Sequence, residues 1–111
     1  MSEGNLNIDV QRSEGRCTVR LDGDIDMSTA PVLRKALLEV IETPVERLLI
    51  DLGGVGYIDS SGVGTIVELR RRIDRSGSDL VLTGLQERVR SVFEITKLDK
   101  FFTILDDAES A

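Results

Sequence analysis

The run Leu48-Leu49-Ile50-Asp51-Leu52, apolar at four of its five positions, most constrains the fold of this chain. A strand with one wet face alternates apolar and polar residues, and this one does not. It reads as a strand buried on both faces, as strands of parallel sheets are. Downstream, Val63, Ile66, Leu69 and Ile73 recur at helical spacing, which predicts a helix from Ser60 to about Arg75. Gly77 then lies in a turn, and Leu80 to Thr83 reads as the next strand. Strand, helix and strand in succession imply a parallel pair joined by a right-handed crossover.

The flanking segments extend this pattern. Ile8 and Val10, then Cys17, Val19 and Leu21, alternate with polar residues around Ser13-Glu14-Gly15-Arg16, an opening antiparallel hairpin. Asp22-Gly23-Asp24-Ile25-Asp26 reads as its exit loop. From Thr29 to Ile41, the residues Ala30, Leu33, Leu37, Val40 and Ile41 form one apolar stripe, with Ser28 or Thr29 as N-cap and Pro31 tolerated in the first turn. Pro44 ends that helix. A third helix carries Leu85, Val89, Val92 and Phe93 on its inner face, and Phe101 to Leu105 reads as a last strand. The class is therefore α/β: one domain over 1–105, its mixed sheet opening with an antiparallel hairpin, continuing with parallel strands and packed by helices. Residues 106–111 form a short acidic tail.

At 111 residues the chain supports one core, burying roughly 65% of the unfolded surface. Its formal charge of -6 argues against a nucleic-acid footprint, which rests on clustered basic residues. The single basic run, Arg70-Arg71-Arg72, lacks interleaved aromatics and reads as a solvated helix face. No apolar run approaches the ~18 residues of a membrane span, and Met1-Ser2-Glu3-Gly4-Asn5 has neither a basic n-region nor an apolar h-region. A cytoplasmic location is expected, without membrane association. Cys17, the only cysteine, falls within a strand, which makes an intramolecular disulfide impossible and a buried apolar role the default.

The candidate chemistry centres on Ile58-Asp59-Ser60-Ser61-Gly62. Ser60 falls near a helix N-cap, where its hydroxyl can accept a bond from first-turn amides and the helix dipole favours added negative charge. It reads either as a simple cap or as a site of modification. Enzymatic readings fail for want of parts: there is no histidine for a catalytic relay, no G-x-S-x-G elbow and no S-x-x-K. Gly53-Gly54-Val55-Gly56 lacks the spacing of a nucleotide loop and reads as a tight turn beyond the strand. Asp22, Asp24 and Asp26 lack the glycine and the bidentate glutamate of a calcium loop and read as solvated turn acids. No enzyme activity, cofactor or metal is expected.

The chain resembles the STAS-domain anti-sigma factor antagonists of bacteria. The resemblance spans almost its whole length: Leu21-Asp22-Gly23-Asp24-Ile25-Asp26 with Thr29-Ala30, then Leu49-Ile50-Asp51-Leu52, Tyr57-Ile58-Asp59-Ser60-Ser61-Gly62-Val63-Gly64, and Leu85 to Phe93. It implies that Ser60 is phosphorylated by an anti-sigma factor that is itself a serine kinase, with Asp26 close by. The implied cycle is partner switching: the unmodified protein binds the anti-sigma factor and frees a sigma factor, phosphorylation ends that binding, and a serine phosphatase restores it. Asp26, Asp59, Ser60, Ser61, Gly62 and Val63 are then expected on one partner-binding face of a monomer or small oligomer. At Ile95-Thr96-Lys97-Leu98-Asp99 related sequences commonly have glycine in place of Lys97, which would suit a left-handed helix stop. The alternative readings within the resemblance are a scaffold subunit of a large stress-signalling assembly and, with less support, an accessory domain of a transporter.

Overall fold

Among the described residues, six strands lie side by side in the order in which the chain makes them. The computed structural model describes the backbone of residues 2–3 and the whole of residues 6–106. Strands β1 (Ser2–Glu3), β2 (Leu6–Ser13) and β3 (Arg16–Ile25) form an antiparallel meander. Ser13 pairs with Arg16 across the two-residue turn Glu14-Gly15, where φ is 43° and 83°. Two positive φ values match the right-handed twist of the strands, the reason such turns close hairpins. After β3 the chain alternates: α1 (Ala30–Glu42), β4 (Arg47–Ile58), α2 (Ser60–Ser76), β5 (Asp79–Thr83), α3 (Glu87–Ile95), a short 3-10 turn at Leu98–Lys100, and β6 (Thr103–Leu105). Strands β3 to β6 are mutually parallel, as the helical connections require.

Register puts the core on one face of this sheet. Cys17 pairs with Leu48 and Val19 with Ile50, while Leu48 and Ile50 pair in turn with Leu80 and Leu82. These residues form one buried cluster with Leu33, Leu37 and Val40 of α1, Ile66, Leu69 and Ile73 of α2, and Val89 and Phe93 of α3. Truncating one of the fully buried large side chains, such as Ile66 or Phe93, would cost about 2–5 kcal/mol. Leu49 and Val81, paired on the opposite face, are buried as well, which accounts for the consecutive apolar residues Leu48 to Ile50 in β4. No helix among the described residues is long and apolar enough to cross a membrane.

Three sequence expectations are corrected here. The supposed exit loop at Asp22 is strand, because β3 runs to Ile25 against an equally extended β4. The run Gly53 to Gly56 likewise continues β4 rather than turning away from it, and the β3–β4 ladder absorbs register shifts between Arg20 and Asp22 and between Gly23 and Asp24. A Cβ on Gly54 would lie 3.0 Å from the Asp22 Cα, so glycine is needed for this close strand approach. The last strand is shorter than expected, since Phe101 and Phe102 belong to a turn: Phe102 packs edge-on to Phe93 at 5.6 Å. Of the expected tail, Asp106 faces Arg90 at 3.5 Å, and residues 107–111 lie outside the described residues.

The basic run on α2 is more than a solvated face. Arg70 donates to the Phe101 carbonyl at 2.6 Å, lies 5.0 Å from the Phe101 ring centroid and pairs with Asp74, so it clamps the turn before β6 to α2. Arg72 pairs with Glu68, which also receives both arms of Arg34 from α1 at 2.8 Å each. Hydrogen bonding from Arg34, then from Arg72, holds the Glu68 carboxyl down at about 2. The depressed value means that this network contributes stability above the ordinary glutamate range, and that the contribution is lost as pH falls through about 2. Glu68→Gln should therefore lower stability at pH 7 by up to about 1 kcal/mol, the upper range for exposed pairs. The gap from wild type should close as urea melts are taken from pH 5 down to pH 2; a constant gap would contradict this linkage.

At the end of α3 Lys97 itself adopts the left-handed conformation, φ 64° and ψ 20°, and its amide bonds back to the Glu94 carbonyl at 3.0 Å. The helix stop thus survives without glycine, at the steric cost of a Cβ in that region. Lys97→Gly should raise stability by about 1 kcal/mol in denaturant melts, the scale of that steric cost.

Candidate functional site

The site forms where β3 and β4 end together. Ile25 and Ile58 are the last paired residues of the two strands, and the Asp59 amide still donates to the Ile25 carbonyl at 3.1 Å. Adjacent strands lie about 4.8 Å apart, so Asp26 and Asp59 leave the sheet side by side. Their carboxylates then perform parallel tasks, each organising the start of the helix that follows.

Asp59, not Ser60, is the N-cap of α2. Its backbone is extended, with φ -113° and ψ -173°, and Oδ1 accepts from the amides of Ser61 at 2.9 Å and Gly62 at 3.2 Å. The Val63 amide bonds to the Asp59 carbonyl at 3.0 Å. Ser60 becomes the first helical residue and is exposed. Sequence reading placed the cap one residue late, because serine and aspartate are near-equal caps and β4 runs further than its apolar run suggests. The simple-cap reading of Ser60 falls with this geometry.

The residues following Ser60 divide by helical phase. Ser61 is half-buried, and its carbonyl accepts from Thr65 Oγ1 at 3.0 Å. Gly62 is buried: a Cβ there would stand 2.4 Å from Ile25 Cγ2 and 2.8 Å from Ile58 Cγ1. Glycine is thus what lets α2 start directly over the ends of β3 and β4. Val63, expected on the exposed face, is turned into the core with only 7% of its surface exposed. Gly62 and Val63 therefore hold the site in place from beneath.

Asp26 sits at the head of α1. Its Oδ1 accepts from the Ser28 amide at 2.9 Å, the Ser28 hydroxyl at 2.7 Å and the Thr29 amide at 3.2 Å, and its carbonyl accepts from the Ala30 amide at 2.8 Å. The Ser28 bonds, foremost among these, hold the Asp26 carboxyl below the usual carboxylate range. Of Ser28 and Thr29, the two expected N-caps of α1, Thr29 holds the position but makes no side-chain cap bond. Instead its buried hydroxyl donates to the Asp24 carbonyl at 2.8 Å and accepts from the Asp26 amide at 2.9 Å, stapling the turn shut. Asp26 is therefore a bonded turn acid and not a merely solvated one. Sequence reading placed Thr29 at the head of α1 but did not foresee its bonds across the turn.

Comparison with known proteins matches these features to a family. The family described as STAS domain matches residues 7–111. The chain belongs to the STAS-domain family. Across 95% of its length this STAS chain is 36% identical to an anti-sigma-B factor antagonist of Bacillus subtilis, of which the alignment covers 95%. Its fold is similar to that of an anti-sigma factor antagonist from Mycobacterium paratuberculosis, with a TM-score of 0.86 and 25% identity, covering 95% of this chain and 89% of that one. It is also similar in fold to the phosphorylated form of the Bacillus cell fate determinant SpoIIAA, with a TM-score of 0.72 and 18% identity, covering 94% and 96% of the two chains.

The assignment of the cap carries a stability consequence. Asp59→Ala should cost about 1 kcal/mol, within the usual range for losing a helix cap, and Asp59→Asn should recover most of it. Denaturant melts of both variants, with Ser60→Ala alongside, check this: a larger loss in Ser60→Ala than in Asp59→Ala would return the cap to Ser60.

Proposed function

We propose that this STAS domain is an anti-sigma factor antagonist switched by phosphorylation of Ser60. The observation that carries the reading is that Ser60 is exposed at the first position of α2 while the capping task belongs to its neighbour Asp59. A serine in that position can be modified without removing the cap. The relationship to curated anti-sigma factor antagonists supplies the class of partner. In this reading the unmodified protein binds an anti-sigma factor with serine-kinase activity and thereby frees a sigma factor. Phosphorylation ends the complex and a serine phosphatase restores it, with the protein acting in the cytoplasm as a regulator and not as an enzyme.

Electrostatics supplies the mechanism. A phosphoserine adds about -1.5 to -2 charges beside the Asp59 carboxylate. With the amides of Ser61 and Gly62 engaged by Asp59, the phosphate must either displace that carboxylate or stand in solvent. Both outcomes put new negative charge on the surface of a chain that already carries -6. A partner that buries a neutral serine would have to bury an unpaired dianion, at a cost of order several kcal/mol. The core beneath, built on Ile25, Ile58 and Val63, needs no rearrangement.

Incubation with the cognate kinase and ATP should phosphorylate wild type and Ser61→Ala but leave Ser60→Ala unmodified. The phosphoprotein should bind the anti-sigma factor at least tenfold more weakly than the unmodified protein, a loss of about 1.4 kcal/mol. Its circular dichroism spectrum should be unchanged and its stability within about 1 kcal/mol, as for a typical surface change. Phosphate mapped to Ser61, or equal affinity of the two forms, would overturn the proposal.

A further inference from the structure

The two edges of the sheet differ. β6 spans only Thr103–Leu105, whereas β2 runs for eight residues, Leu6–Ser13, and β1 covers only its start, pairing Glu3 with Leu6 and Ser2 with Asn7. Among the described residues no strand lies beyond Val10 and Arg12. Ser13 and Arg16 flank a two-residue hairpin turn and so exchange hydrogen bonds, which makes Gln11–Thr18 and Asp9–Arg20 hydrogen-bonded pairs as well. The alternation leaves the N–H and C=O groups of Val10 and Arg12 pointing out of the sheet. Exposed strand edges template the pairing of further strands unless lysine, proline, a bulge or shortness blunts them. β6 is blunted by its shortness. β2 has no lysine and no proline, and its ladder with β3 runs from Leu6 to Ser13 without a register shift.

What can pair with this edge is restricted by the edge itself. A second copy brought up antiparallel about a two-fold axis normal to the sheet keeps each side chain on its own face, so only residues that share a face can pair. Centring on Val10 sets the second copy's Ser13 opposite Asn7, a place that Ser2 already holds. Centring on Arg12 sets two arginines directly opposite each other, which is unfavourable. Centring on Gln11 meets neither obstacle. Val10 then exchanges both backbone hydrogen bonds with the second copy's Arg12, twice by symmetry, and the Asp9 carboxylate stands opposite the second copy's Ser13 hydroxyl. On the helical face, Val10 is 41% exposed beside a groove of about 390 Å³ that reaches Ala36 and Glu39 of α1. Arg12, whose guanidinium donates to the Val40 carbonyl at 2.7 Å, lines the same groove. Across the join its stem covers the other copy's Val10 and its charge faces the other copy's Glu39.

We propose that the chain forms a homodimer through β2, antiparallel and centred on Gln11, so that two sheets become one. The occupant is a second copy because the edge is complementary to itself: backbone donors meet acceptors, acid meets hydroxyl and arginine meets glutamate. The join is small, which puts it in the class of weak interfaces that form and part with concentration. Gln11 pairs with Thr18, seven residues before Ile25, about 23 Å along β3 from the Ser60 site. The two-fold axis points the two Ser60 ends in opposite directions and leaves both uncovered. The dimer adds an interface to the function assigned to Ser60 and does not depend on it.

Sedimentation equilibrium of the full chain, taken up to about 1 mM, should give a mass that rises toward twice that of one chain. Val10→Lys sets a lysine opposite the second copy's Arg12 and should weaken association at least tenfold, with an unchanged circular dichroism spectrum. Register is read by disulfide trapping in air, with the buried Cys17 out of reach. Cα atoms of a non-hydrogen-bonded antiparallel pair lie about 4.5 Å apart, within disulfide range, so Gln11→Cys should trap a covalent dimer. Asp9→Cys would stand about 13 Å along the strand from its counterpart and should trap at least tenfold less. A monomer at every concentration, wild-type association of a folded Val10→Lys, or trapping of Asp9→Cys as fast as Gln11→Cys would overturn the proposal.

Discussion

The parallel pairing of β3 with β4 is the constraint on which the rest depends. Because the two strands end together at Ile25 and Ile58, the chain releases two aspartates side by side, and each begins a helix. The hydrogen bond from the Asp59 amide to the Ile25 carbonyl carries the pairing one step beyond the ladder. Gly62 then allows α2 to settle over both isoleucines without a side chain between. Any loss of this pairing would separate Asp26 from Asp59 and lift the start of α2 from the core.

Division of labour between neighbours follows from that geometry. Asp59 caps, Ser60 is exposed, Ser61 is half-buried, and Gly62 and Val63 face inward. A helix turns by about 100° per residue, so successive side chains point in different directions, and with the cap on Asp59 the Ser60 hydroxyl stays exposed. The same economy appears on α1, where the Asp26 carboxylate and the Thr29 hydroxyl satisfy the turn internally and leave Met27 outside it. Negative charge at both helix starts is compatible with the helix dipoles.

Ion pairs hold the helical layer in register. Glu68 gathers Arg34 and Arg72, while Arg70 ties the turn before β6 to α2. Exposed pairs contribute little individually, yet a bidentate bridge between two helices fixes their relative slide, which hydrophobic packing alone determines less sharply. Lys97 shows the opposite case, a locally unfavourable conformation held because the chain must turn there to bring Phe102 against Phe93.

Element types were legible in the sequence, since they follow from local periodicity: the alternating hairpin, the apolar stripe of α1, the run Leu48 to Leu52 and the spacing from Val63 to Ile73 each specify their own structure. The motif around Ser60 and the family resemblance single it out as the candidate site, and the structure has it exposed at the first position of α2. What tertiary structure decided were the ends of elements and the direction of individual side chains. Gly53 to Gly56 read as a turn because glycine is permissive, and became strand because β3 lay alongside to pair with it. Ser60 read as a cap because serine and aspartate serve equally well, and Asp59 took the position because the strand ended one residue before it. Val63 read as part of an exposed helix start, and was buried because Gly62 brought α2 down onto Ile25 and Ile58. Arg70 read as part of a solvated face because nothing in its own helix names Phe101 as a partner, and the Arg34–Glu68 bridge between helices had no local signal either. Such contacts join segments some thirty residues apart, and only the folded sheet brings them within reach.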